Sequence, residues 1–151
     1  MGEGVLAAGT IIVITGAGGA FGKVLQGSGI AQVIGDALAG ASLGIWLPFL
    51  IAAGIKTAQG SSTVAIVTTA GLLAPLLDSL GLGGETARAL VVVAIGAGSM
   101  VVSHANDSYF WVVTQLSNMD LRTGYRLQTL GTLTQGCVAA CAVWIASLIA
   151  L

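Results

Sequence analysis

With 151 residues, five Lys or Arg, six Asp or Glu and a formal charge of -1, the chain is only 7% charged, against about 25% in an ordinary soluble domain. Its hydrophobic fraction is 56% and its mean hydropathy is +0.98. So few charges cannot cover a water-facing surface, and no basic field exists to attract nucleic acid, so lipid is the solvent that fits.

The N-terminus, Met1-Gly2-Glu3, carries an acid in place of a basic region, and the apolar run behind it continues into glycines without a processing site. No cleavable signal sequence is expected. The first apolar run, Val5 to Phe21, is about 17 residues long and ends at Lys23. Within it, Thr10 to Thr15 followed by Gly16-Ala-Gly-Gly-Ala-Phe-Gly-Lys23 imitates a strand entering a nucleotide loop. The imitation fails. A dinucleotide fingerprint needs Gly where Phe21 stands, and a phosphate loop needs one more residue before Gly22 and a hydroxyl where Val24 stands. Nor do strands alternating with amphipathic helices follow. A glycine-packed membrane helix is the better reading, because glycine lets apolar helices approach closely.

A weakly amphipathic stretch, Val24 to Ala39, leads to a second apolar run from Leu43 to Ile55 with Trp46 and Pro48 near its start and Lys56 at its end. At about 13 residues it falls short of the roughly 20 that a hydrocarbon span needs. After Gln59-Gly60-Ser61-Ser62-Thr63 comes Val64 to Leu77, broken by Gly71 and Pro75, then a polar loop from Asp78 to Arg88. Ala89 to Val102 is apolar again and runs into Ser103-His104-Ala105-Asn106-Asp107-Ser108, after which Tyr109 to Leu116 is apolar. A loop from Ser117 to Arg126 carries Asp120, Arg122 and Arg126, and the final run, Leu127 to Leu151, is long enough to span alone. Its basic residues weakly assign that loop to the cytoplasm. Cys137 and Cys141 share a face of the last segment but have no His or carboxylate nearby, so they read as packing residues, and neither metal nor cofactor is expected.

Twice, then, a short apolar half meets a polar cluster and a second short apolar half. Irregular backbone at membrane depth survives only where protein buries it or a watery cavity hydrates it, and such interrupted segments mark transporter binding sites. In the first cluster, Ser and Thr at a helix start can cap it, or the exposed N–H groups and hydroxyls can receive an anion. Lys56 just upstream favours the second use. In the second cluster, Asp107 in contact with lipid would cost roughly 2.5–3.5 kcal/mol, so it should face a cavity or a partner, or hold a proton. His104 and Asp107 suit a proton relay, and Asn106 and the serines suit a polyhydroxylated ligand. A Ser103–His104–Asp107 triad is rejected, because triad members must converge with the His between the others, which neighbours on one segment rarely achieve.

The sequence resembles the gluconate permease family, the gluconate:proton symporters. The resemblance lies in Ile14-Thr-Gly-Ala-Gly-Gly-Ala-Phe-Gly-Lys-Val-Leu25, Ala58-Gln-Gly-Ser-Ser-Thr-Val-Ala65 and Ser103-His-Ala-Asn-Asp-Ser-Tyr-Phe-Trp111, and it places the chain as the C-terminal third of such a permease. It implies an all-α membrane protein: one repeat of an inverted-repeat transporter with a re-entrant hairpin, its tip at Gln59 to Thr63, and a broken helix at Ser103 to Ser108. Residues 1–151 are expected to form one multi-pass domain of a bacterial inner membrane, the N-terminal repeat being absent from the sequence. An N-terminal repeat or a homo-oligomer would then complete the site. The function implied is proton-coupled uptake of gluconate or a similar small hydroxylated monocarboxylate, with no enzymatic activity. The substrate-binding set is Gln59, Gly60, Ser61, Ser62, Thr63, Ser103, Asn106 and Ser108; His104 and Asp107 couple the proton. The competing expectation is a binding-only or structural membrane subunit whose polar clusters pack against partner helices.

Overall fold

The computed structural model describes residues 43–151, together with Ala20 and Val24 as isolated helical positions. The first apolar run, its glycine-rich segment and the stretch up to Ala39 otherwise lie outside the described residues. Among the described residues every regular element is helical. Helix α1, Trp46–Gln59, takes Pro48 in its first turn, where the missing N–H has no intrahelical partner to lose. It ends at Gly60, whose φ of 83° lets the chain reverse at once into α2, Ser62–Leu73. Pro75 sits in the 3-10 turn Ala74–Leu76 that closes α2.

Helix α3, Glu85–Met100, starts earlier than the polar residues before Ala89 suggest. Gly84 is extended and Glu85 stands in the first turn, where an acid meets the positive end of the helix. Arg88, expected in the loop, lies on this helix and reaches back 3.1 Å to Asp78, both well exposed, so the pair contributes little. After the break comes α4, Ser108–Leu116.

A second boundary moves more. Asp120 caps α5, Leu121–Gly124, accepting the Thr123 N–H at 3.2 Å. Bonds from Thr123 hold the Asp120 carboxyl below the usual carboxylate range. A π turn, Tyr125–Thr129, joins α5 to α6, Leu130–Ala150. Arg122 and Arg126 therefore sit on helical turns instead of in a loop. The stretch Leu121–Ala150 forms a single run of 30 residues, the one described helix long and apolar enough to cross a membrane. At 1.5 Å per residue such a run is about 45 Å long, more than the roughly 30 Å hydrocarbon layer.

Helix α3 is the hub, packed against α1, α2 and α6. Its Ala87, Val91, Ala94, Ile95 and Ala97 meet Phe49 and Ala52 of α1 and Ala140 and Val143 of α6 in one core. Five of these nine are alanine, which lets the helices approach closely, as suits helices packed in lipid. On the outer faces, Val92 of α3 and Val138, Ile145, Leu148 and Ile149 of α6 are all exposed. Such faces suit lipid and not water.

Two glycines on α3 make the packing testable. A Cβ at Gly98 would collide with the Phe49 carbonyl oxygen and the Ala52 methyl group, whereas one at Gly96 meets nothing within 4 Å. Gly98→Ala is expected to cost about 1–3 kcal/mol, because a backbone atom has to move. Gly96→Ala is expected to be neutral or to gain up to about 1 kcal/mol of helix propensity. Thermal melts of the helical signal in detergent compare the two.

Candidate functional site

The two polar clusters, distant in sequence, meet in the structure. At the end of α1 the last carbonyls lose their helical partners, and the chain solves this in two ways. The Gly60 N–H returns to the Lys56 carbonyl at 2.8 Å. The Thr57 carbonyl instead accepts from across the site: Asn106 Nδ2 at 2.9 Å and His104 Nε2 at 3.2 Å. That second contact fixes the proton on Nε2, since a carbonyl only accepts. Gly60 lies so close to the Asn106 backbone that a Cβ there would overlap its carbonyl. Ser61 then caps α2, its Oγ accepting the Val64 N–H at 3.3 Å, and Gln59 Nε2 donates to the Ser61 carbonyl at 3.0 Å.

The opposing segment leaves helical geometry after Met100. Val101 is extended and Val102 takes a φ of 51°, unusual for a β-branched residue. The backbone freed here is satisfied by α6 and the turn before it. Thr132 Oγ1 accepts the Ser103 N–H at 3.0 Å, and Thr129 Oγ1 donates to the Ser103 carbonyl at 2.6 Å. The Asp107 N–H bonds the His104 carbonyl at 2.8 Å to close a turn, and α4 begins at the next residue. Trp111 Nε1 donates to the Ala105 carbonyl at 2.7 Å, so this indole tethers the break from outside.

At the centre lies an ion pair that the sequence reading did not assign. Lys56 Nζ stands 2.6 Å from Asp107 Oδ2, and Ser103 Oγ donates to the same oxygen at 2.6 Å. Oδ1 accepts the Tyr109 N–H at 2.9 Å, which makes Asp107 the N-cap of α4. Lys56 also donates to the Gly60 carbonyl at 2.7 Å. Lys56 is 1% exposed and Asp107 6%; among the described residues they are the only buried charged side chains. The signal for Lys56 was a lone lysine at the end of an apolar run, four residues before the turn.

The expected site residues divide into two groups. Gly60, Ser103 and Asp107 are buried, and Ser61, Ser62 and His104 are partly buried. Gln59, Thr63, Asn106 and Ser108 are exposed around them. Ser103 touches Asp107 directly while His104 turns to Thr57, so no Ser–His–Asp relay forms. This arrangement can do two things. It presents the N–H groups and hydroxyls at the start of α2, and it holds one buried positive and one buried negative charge that neutralise each other beside them.

Residues 1–149 match the family of GntP permeases. The chain is 42% identical over 120 residues to a gluconate permease of Pseudomonas aeruginosa, covering 79% of this chain and 26% of the relative. It is 43% identical over 106 residues to the low-affinity gluconate transporter of Escherichia coli strain K12, covering 70% of this chain and 24% of the relative. The inner membrane permease YgbN of the same strain is 37% identical over 146 residues, covering 95% of this chain and 31% of the relative. The chain thus spans about a quarter to a third of the length of these relatives. No solved structure matches it.

Proposed function

The chain belongs to the GntP permease family, a family of membrane transporters and not of enzymes, and from that premise we propose that it forms the substrate-binding repeat of a proton-coupled sugar-acid transporter. The observation that carries this reading is the meeting of the two interrupted segments around the buried Lys56–Asp107 pair. A helix reversal at Gly60 and a break at Ser103 to Ser108 that touch each other match what alternating-access folds place at the membrane midplane.

In this reading α1 and α2 form a re-entrant hairpin with its tip at Gln59 to Thr63, and α3 and α4 are the halves of a broken helix. Residues 1–151 make one multi-pass domain of the bacterial inner membrane. They work with an inverted N-terminal repeat, or with a second copy, that completes the site. The substrate is gluconate or a similar hydroxylated monocarboxylate, the class named in the relatives. Its carboxylate is received by the N–H groups and hydroxyls of Ser61, Ser62 and Thr63, where the helix dipole favours an anion. Gln59, Asn106 and Ser108, all exposed beside that turn, bind its hydroxyls. Gly60 and Ser103 set the shape of the cradle. Asp107, with His104 as the other titratable group of the break, takes up and releases the proton.

The test is uptake of labelled gluconate by cells that lack their own gluconate permeases. The chain is expressed alone or with the preceding part of a full-length relative, with and without an inward proton gradient. Saturable uptake that rises with the gradient is the expected result. If neither arrangement transports while the protein is verified in the membrane, the chain is a binding-only or structural subunit and the transport reading fails.

A further inference from the structure

We propose that Lys56 is the counter-ion of the substrate carboxylate, and that it is released for this task when Asp107 takes a proton. The inference rests on the transport reading above and adds to it the residue that ties anion to proton.

A buried cation without a partner is strongly unfavourable, and a buried pair holds only while both charges are present. With Asp107 ionised, Lys56 is neutralised at 2.6 Å and the site has no net charge to offer an anion. When Asp107 takes a proton from water, its carboxylate charge is gone and the ammonium is left uncompensated. The structure has placed that ammonium at the hairpin turn: Nζ is 2.7 Å from the Gly60 carbonyl, one residue before the Ser61 cap that opens α2. A monocarboxylate arriving at the start of α2 thus meets both N–H donors and a cation in need of a partner. One proton and one anion together restore neutrality, so each stabilises the binding of the other.

Among the described residues the neighbours of Asp107 leave few other candidates. From α1 the charged group is Lys56, and α2 carries no titratable residue. On its own segment His104 turns to Thr57, and on α4 the phenol is Tyr109, which is exposed. On α3, Glu85 and Arg88 stand in the first turn, at the end away from the break. Asp120 caps α5, Arg122, Tyr125 and Arg126 lie on α5 and the turn after it, and α6 has only the exposed Cys137 and Cys141.

The sign of the pH effect follows. Substrate binds the form with Asp107 protonated, so gluconate affinity is highest at acid pH. It falls by about tenfold per pH unit once Asp107 is ionised, with about one proton taken up per anion bound. Calorimetry of gluconate binding to the full chain in lipid nanodiscs, in two buffers of different ionisation enthalpy, reads that proton directly on the unaltered protein. Asp107→Asn mimics the protonated state and is expected to bind gluconate with no proton uptake and a flat pH profile. Wild-type binding without proton uptake overturns the inference while leaving the transport reading intact. So does an Asp107→Asn variant that keeps the wild-type slope. Absence of gluconate binding at any pH, both by the chain alone and by the chain assembled with the preceding part of a full-length relative, overturns the transport reading and this inference with it.

Discussion

Lys56→Ala is expected to lower the stability of the chain by about 3–5 kcal/mol, the range found when one partner of a buried ion pair is removed. Asp107 would keep the Ser103 hydroxyl and the Tyr109 N–H but would lose its cation. The Gly60 carbonyl would lose a donor at 2.7 Å in the same step. The cost comes from the stranded charge, so removing both charges should recover most of it. Lys56→Met combined with Asp107→Asn is expected to melt nearer the parent than Lys56→Ala does, since no charge is stranded and Asn keeps the N-cap bond to the Tyr109 N–H. Thermal melts of the two variants and the parent in one detergent decide this. A Lys56→Ala chain that melts with the parent would show that water reaches the pair and that the buried-charge argument is wrong. Gluconate adds a further check, because it should raise the melting temperature of Asp107→Asn, where Lys56 is free, and leave Lys56→Ala unchanged.

How much of this was legible in the sequence depends on how far apart the interacting residues lie. The break at Ser103 to Ser108 could be read because six polar or small residues interrupt an apolar run, and the turn at Gly60 because glycine and hydroxyl residues stand together before an apolar helix. Both are local signals. Lys56 was legible as a cation beside the first cluster, but its partner was not, because Asp107 lies 51 positions away and no local pattern links the two. Thr129 and Thr132 were invisible for a similar reason: threonines in an apolar helix ordinarily bond their own turn. Thr132 does so as well, with Oγ1 2.9 Å from the Gln128 carbonyl, and only the fold shows it serving the Ser103 backbone. The loop at Ser117 to Arg126 was misjudged through its charges. Three charged residues suggested solvent, whereas Asp120 three positions before Thr123 is a capping signal, and the helix starts there.

Gly60→Ala is the substitution expected to separate the two halves of the site. Its φ of 83° puts a non-glycine residue in the left-handed region, at roughly 1–2 kcal/mol. The added methyl group would also overlap the Asn106 carbonyl, a backbone atom that cannot rotate aside. Overpacking of that kind adds typically 1–3 kcal/mol, and the easiest relief is for the turn to draw back from the break. That movement would loosen the bonds from Asn106 and His104 to the Thr57 carbonyl and lengthen the Lys56–Asp107 pair. Gly44→Ala is the control. Its φ of 49° imposes a similar backbone strain, but nothing lies within 4 Å of its Cβ. The expected outcome is that both variants lose stability, Gly60→Ala the more, and that only Gly60→Ala loses the acid-dependent gluconate binding. Equal losses would reduce Gly60 to a turn former. Loss of binding confined to Gly60→Ala, in a chain still folded at the assay temperature, would mean that contact between the hairpin turn and the broken segment is what keeps the cation and the proton-accepting carboxylate in one site.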